Sequence, residues 1–296
     1  MTVRVKAYAK INLHLDVTGK RSDGYHDVQT VMQSISLCDT VDVELSEFPE
    51  IKIECDKAEV PLGEKNIAHK AARAFLDKTG VQCGVRISIK KNIPMAAGLA
   101  GGSADAAAVL VGLNILFDDA LSFEALCELG SLLGADVPFC IACGCMYSDG
   151  KGDRLSDFLS IPSDTVFVVA CGGKGVSTPE AYKLLDGEYD CFLNYNPKGV
   201  EELKKTLSSD APNEFYKRLF NIFEEPISRE RATVGRIKNI MLDAGARAAM
   251  MSGSGPSVFA VFEKISDAEC AVKAINEKGF FASVAFPVGA RVFPKK

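Results

Sequence analysis

Residues 93–110 read IPMAAGLAGGSADAAAVL, with Gly98, Gly101 and Gly102 among seven alanines and Ser103 as the one hydroxyl. Side chains this small let a ligand approach the backbone itself. A glycine-rich turn that runs into a helix presents amide N–H groups with no partner inside the helix, and the helix dipole adds positive character there. Both favour an anion, above all a phosphate. Tight packing of a helix on a strand would call for the same small residues. The spacing is neither G-x-x-x-x-G-K-[ST] nor G-x-G-x-x-G, so two common nucleotide loops are excluded. Ser103 suits a phosphate, its metal or a helix cap. Asp105 is expected in the first helical turn, where the dipole accounts for it.

Three other places carry chemistry-bearing groups. In AYAKINLHL, strand alternation puts Tyr8, Lys10 and Asn12 on one face and Ile11, Leu13 and Leu15 on the other. In GADVPFC, Asp136 is expected in a constrained loop between a helix and a buried strand. If the fold joins them, Asp136 is a general base and Lys10 a charge stabiliser; apart, they are a turn aspartate and a solvated lysine. In SDGYHD, Tyr25 and His26 suit a flat heterocycle, by stacking and hydrogen bonding, or simply a turn folded on the surface.

The bulk composition narrows the chemistry. Only His14, His26 and His69 are histidines, which argues against a histidine metal cluster or a Ser-His-Asp triad. Cys140, Cys143 and Cys145 lack a second ligand pair at matching spacing, so a buried strand with small thiols is expected. A net charge of −5 and a pI near 5.4 exclude a broad polyanion-binding surface, hence a nucleic-acid partner, but allow a small phosphorylated substrate. No run of apolar residues is long enough for a membrane span, and the alternating N-terminus lacks the apolar core of a signal peptide. Scattered cysteines without a secretion signal point to the cytoplasm. No obligate protein partner is evident.

These residues need elements to hold them. The first sixty residues read as strands in RVKAYAKINLHLDVTG, VQTVMQSISL, TVDVELSE and IKIEC, with a turn at RSDGYHD. EKNIAHKAARAFLDKTG is helical and ends on Gly80, and GVRISIKKNIP is a strand leading into the glycine-rich segment. A helix follows through ADAAAVLVGLNILF, then SFEALCELGSLLG with Ser122 as N-cap, then a loop, a strand and a glycine hairpin. Beyond it, DTVFVVACGG is a strand, and Thr178 is placed to cap a helix with Pro179 in its first turn. Residues 187–232 are polar and helical in character. A helix, a glycine loop and a strand span 231–264, and a helix and a strand close the chain. The mixture is α+β, with a boundary near residue 158.

The segments AYAKINLHLDVTGKRSDGYHDVQTVMQ, IPMAAGLAGGSADAA, LGADVPF, GVSTPEAY and MSGSGPSVFAVF stand in this order along essentially the whole chain. They resemble the galactokinase–homoserine kinase–mevalonate kinase–phosphomevalonate kinase (GHMP) superfamily. Within it they are similar to the branch that phosphorylates a cytidyl diphosphate in the non-mevalonate route to isoprenoid precursors. The resemblance implies a two-domain GHMP kinase fold: residues 1–157 like domain 2 of ribosomal protein S5, and residues 158–296 ferredoxin-like. ATP would be the phosphoryl donor, with Mg²⁺ held mainly through its phosphates and no set of protein metal ligands.

Residue by residue, the resemblance makes Lys10 and Asp136 catalytic. It assigns the ATP phosphates to Pro94, Met95, Ala96, Ala97, Gly98, Leu99, Ala100, Gly101, Gly102, Ser103 and Ala104, and the adenine nucleoside to Asn66 and Lys91. Asn12, Tyr25, His26, Thr178, Tyr182, Gly253, Ser254 and Gly255 fall on the substrate side, with cytosine between two aromatics, the second of them Tyr182. Relatives often carry two serines where this chain has Ser103 and Ala104, so a hydroxyl is missing from the expected metal neighbourhood. Two rivals stand beside this reading: another enzyme of the same fold acting on a small alcohol, and a nucleotide-binding protein without catalysis.

Overall fold

A computed structural model of the chain describes residues 1–188 and 198–293. The N-terminal alternation becomes a long antiparallel hairpin of β1 (Thr2–Lys20) and β2 (His26–Ser46), turned at Gly24. From Ala9 to Val17 both faces of β1 are buried, so Lys10 and Asn12 lie inside the protein rather than on a solvated face. The two strands expected within 28–47 are one. Through its first half β2 pairs with one later strand, and through its second half with another.

β3 (Ile51–Cys55) runs parallel to β4 (Gly84–Lys90) at the sheet edge, and α1 (Ile67–Thr79) lies between them in sequence. Asn66 caps α1 by accepting the Ala68 N–H, and Gly80 closes it in the left-handed region. Next comes α2 (Gly101–Leu116), buried continuously from Ala104 to Asn114. A helix apolar on every side belongs in the middle of a core, and α2 packs on the sheet with the glycine-rich turn at its N-terminus. Ser122 caps α3 (Phe123–Leu133), as its position suggested.

The apolar run after Asp136 is a short helix, α4 (Val137–Ala142), not a strand. A short apolar run fits either state by periodicity, and Pro138 in the first turn favours helix initiation. Cys140 therefore packs in a helix, Cys143 in the turn after it, and Cys145 opens β5 (Cys145–Asp149). β5 pairs with β2 and with β6 (Arg154–Leu159), so β5 and β6 extend the same sheet.

The second sheet starts at β7 (Val166–Cys171), so residues 160–165 link the two sheets. α5 (Thr178–Glu188) follows. Its cap is Ser177, whose Oγ accepts the Glu180 N–H, not Thr178, which is already helical. The polar stretch expected to be helical includes 189–197, which lie outside the described residues. Beyond it come α6 (Gly199–Leu207), a 3₁₀ turn, and β8 (Phe220–Asn221), which pairs with β1 of the first sheet. Then follow α7 (Glu224–Glu230), α8 (Ala232–Asp243), β9 (Ala248–Met251), β10 (Val258–Phe262), α9 (Ile265–Asn276) and β11 (Phe281–Ala285).

The second sheet is antiparallel, in the order β11-β7-β10-β9. Its two central strands, β7 and β10, are buried on both faces. Phe167, Val169, Phe259 and Val261 join the core of α1 and α2, while Val168, Ala170, Val258 and Ala260 join the core under α8 and α9. Burying strands on both faces demands the near-continuous apolar runs VFVVAC and VFAVF. The two halves thus share a wall, and a cleft opens where β1, the glycine-rich turn and the β9–β10 loop meet. No described helix is long and apolar enough to cross a membrane.

Candidate active site

The cleft is a cavity of about 690 Å³. Of the expected residues, Lys10, Asn12, Asn66, Lys91, 94–98, 100–103, Asp136, Thr178, Tyr182, Gly253 and Ser254 line it. Leu99, Ala104, Tyr25, His26 and Gly255 do not. Leu99 and Ala104 are core residues, each 1% exposed, so a hydroxyl at 104 would meet packed side chains rather than the cavity. Ser103 keeps its place on the cavity wall.

Two glycine loops face each other here. The Ser257 N–H donates to Ala97 O at 3.2 Å, and Ser252 Oγ donates to Gly98 O at 3.2 Å. Gly98, at φ +77°, would place a Cβ 2.3 Å from Ser252 O, so only a residue without one fits. Asn221, at the end of β8, clamps the second loop by donating to Met251 O (2.7 Å) and Gly253 O (2.9 Å).

Lys10 reaches the cavity floor from β1. Its Nζ donates to Asn12 Oδ1 at 2.7 Å and lies 3.9 Å from Asp136 Oδ2. Asn12 Nδ2 donates to Thr30 Oγ1 (2.8 Å), which in turn donates to His14 O (2.6 Å). This relay fixes the Asn12 amide with its oxygen toward the ammonium. The Lys10 N–H donates to Leu99 O at 3.2 Å, tying β1 to the glycine-rich turn. Asp136 occupies the N-cap position of α4 but makes no cap bond with its side chain. A carboxylate left out of local capping, partly exposed and facing a buried ammonium, is placed to take a proton.

At the other end Tyr182, on α5, stacks on His26 with ring centroids 4.5 Å apart and planes 20° apart. His26 Nε2 lies 2.8 Å from Asp186 Oδ1, and Lys20 Nζ donates to Asp186 Oδ2 at 2.6 Å. Burial pushes the Tyr182 phenol up. Burial also opposes the Asp186 charge, but hydrogen bonds from Lys20 and His26 outweigh it and hold the carboxyl below its ordinary range. Tyr25 is 60% exposed, and Lys151 lies 5.0 Å from its ring centroid.

Beneath the glycine-rich turn, Lys91 Nζ donates to Asp39 and, at 2.6 Å, to Asp105. Asp105 is therefore a buried ion-pair partner in the second turn of α2, not a first-turn residue explained by the dipole. Burial raises its carboxyl to about 7.

Thr30, Asp39, Lys151, Asp186 and Asn221 were not singled out by the sequence reading. Lys151 stood between two glycines in DGKGD, a visible tip cation. The others gain their meaning only from strand pairings and helix contacts distant in sequence.

The chain matches the GHMP kinases N terminal domain over residues 66–144 and the GHMP kinases C terminal over residues 200–280. It is 40% identical over 284 residues to a 4-diphosphocytidyl-2-C-methyl-D-erythritol kinase of Clostridium perfringens (strain ATCC 13124), covering 95% of this chain and 96% of that one. It is 45% identical over 264 residues to a protein of the same name from Acetivibrio thermocellus, covering 88% and 90%. Among solved structures, a 4-(cytidine 5'-diphospho)-2C-methyl-D-erythritol kinase superposes with a TM-score of 0.76 at 30% identity, covering 97% of this chain and 100% of that one. A homoserine kinase from Cytophaga hutchinsonii superposes with a TM-score of 0.76 at 19% identity, covering 98% and 95%, a likeness of fold alone.

Proposed function

The chain belongs to the GHMP kinase superfamily and, within it, to the 4-diphosphocytidyl-2-C-methyl-D-erythritol kinases, and from this premise we propose that it transfers the γ-phosphoryl group of ATP to the 2-hydroxyl of 4-diphosphocytidyl-2-C-methyl-D-erythritol. The observation that carries the assignment of roles is the Lys10–Asp136 pair, 3.9 Å apart, on the wall of a cavity whose other wall is backbone.

A tertiary alcohol is a weak, crowded nucleophile. Asp136 accepts its proton as the O–P bond forms, and Lys10 steadies the negative charge on the oxygens around the transferred group. In a loose transition state the position of the hydroxyl counts as much as basicity. That gives the Lys10–Asn12–Thr30 relay a function: it holds the ammonium still. The amides at the start of α2 and the glycine-rich turn receive the ATP phosphates, with Asn66 at the nucleoside side. Mg²⁺ fits as a companion of those phosphates: Ser103 offers its hydroxyl from the cavity wall, and the ion would supply charge neutralisation.

The cytidyl end takes Tyr182, His26 and Tyr25. Tyr182, stacked on the imidazole, lines the cavity, and the base binds by stacking and hydrogen bonding at this α5 edge. Asn12, Thr178, Gly253, Ser254 and Gly255 lie along or behind the path between the two ends. The protein works in the cytoplasm on small molecules, with no nucleic acid, membrane or obligate protein partner.

Purified protein incubated with Mg·ATP and the cytidyl substrate should yield a new phosphomonoester in its ³¹P NMR spectrum. Homoserine or mevalonate in place of that substrate should yield none. Turnover of either small alcohol in preference to the cytidyl compound would favour another enzyme of the fold.

A further inference from the structure

Lys91, Asp39 and Asp105 are nearly fully buried, and all three come from different places: just past the end of β4, the middle of β2 and the second turn of α2. Asp39 and Lys91 each make a second connection, whereas Asp105 Oδ1 is buried without a hydrogen-bond partner among the described residues. Asp39 Oδ1 accepts the backbone N–H groups of Asn92 (2.5 Å) and Ile93 (2.8 Å), where the chain enters the glycine-rich turn. The Lys91 N–H itself donates to Asp56 Oδ1 at 2.9 Å. A Cβ placed on Gly101 would lie 3.5 Å from Lys91 Nζ, so the ammonium sits directly against the start of α2.

Burial opposes the charge on Lys91, but the two carboxylates outweigh it and hold the ammonium above its ordinary range. Two of the three Lys91 ammonium protons are thus committed to carboxylates beneath the turn. A cation meant chiefly for phosphate oxygens would keep most of its protons free toward the cavity. A buried charge with good partners is a stiff local joint, because loss of either partner leaves the other unpaired in low dielectric.

We propose that Lys91, Asp39 and Asp105 form a positioning triad that fixes the glycine-rich turn and the first turn of α2 for polyphosphate binding, the Lys91 ammonium acting on the nucleotide through Asp39 and the loop backbone rather than as a phosphate ligand. This rests on the reading of that turn as the ATP site. Asp39 is the critical link, since one of its oxygens holds Lys91 and the other holds the loop amides.

Calorimetric titration of the full-length protein with Mg·ATP alone tests it, using wild type, Lys91→Met, Asp39→Asn and the double variant. No second substrate is present, so a failure of the alcohol assignment leaves this measurement intact, whereas wild-type protein that does not bind ATP overturns both. Each single substitution should weaken binding by about tenfold, and the double variant should be no weaker than the worse single. If Lys91 were a direct ligand, removing the Asp39 charge in Asp39→Asn would leave its ammonium more available to the nucleotide, with binding unchanged or tighter; that result overturns the proposal. Should circular dichroism show either single variant unfolded, Asp105→Asn replaces it, since asparagine keeps an acceptor for Lys91 Nζ. That variant should weaken ATP binding by about threefold, and unchanged or tighter binding again overturns the proposal.

Discussion

Of the three ammonium protons of Lys10, one is committed to Asn12 Oδ1, which leaves two for substrate oxygens and Asp136. His14, two residues along, is the opposite case: wholly buried against Phe220, neither ring nitrogen makes a hydrogen bond. Burial lowers its pKa from 6.5 to about 4. Between these values the unfolded chain binds the proton that the fold refuses, so stability rises with pH across the window. It is lost as pH falls toward 4, by up to about 3 kcal/mol. His14→Phe should flatten this part of the acid limb in urea denaturation measured from pH 6.5 down to 4. An acid limb identical to wild type would mean that the ring is not held neutral. From sequence, His14 was visible only as one of three histidines, because its neighbours Phe220 and Thr30 come from distant strands.

At the scale of elements, two contacts set the site. The first is loop on loop. Gly253, at φ +57°, would place a Cβ 2.8 Å from Gly98 O and 3.1 Å from Lys10 Nζ. Gly253→Ala should therefore displace both the glycine-rich turn and the ammonium, lowering kcat by roughly a hundredfold while the protein stays folded; kcat within twofold of wild type would show that the loops have slack. The second contact is α5 on the β1–β2 hairpin, made by Asp186 with Lys20 and His26 and by Tyr182 on the imidazole. Asp186→Asn removes the charge from that junction. It should raise KM for the cytidyl substrate about threefold to tenfold, with KM for ATP nearly constant. A rise in both would assign α5 a role in the whole cleft.

The same scale separates what was legible from what was not. α1, α3 and the strands β7, β10 and β11 of the second sheet were readable, because capping residues and apolar runs act within a few positions, whereas the short edge strand β9 was not. The helix α4 was not, since VPFCIA is apolar at every position and carries no period. Nor was the continuity of β2 through Cys38 and Asp39, which depends on having β1, β4 and β5 as neighbours.

For the whole molecule, a net charge of −5 coexists with a cavity whose lining includes Lys10, Lys65 and Lys151. Local cations and backbone amides, not overall charge, prepare it for polyphosphates. The motif segments with the glycine-rich turn, Lys10, Asn12 and Asp136 were legible as residue types in order. Their convergence was not, because it is made by two sheets sharing a wall of Phe167 and Phe259 and by loops from opposite ends of the chain. We propose that this convergence performs phosphoryl transfer with Asp136 as proton acceptor. ADP release from Mg·ATP, with and without 4-diphosphocytidyl-2-C-methyl-D-erythritol, tests it most directly when wild type and Asp136→Asn run side by side. Substrate-dependent release that falls by about a hundredfold or more in the variant is the result expected. Release that is undiminished in Asp136→Asn, or absent from folded wild type, would contradict it.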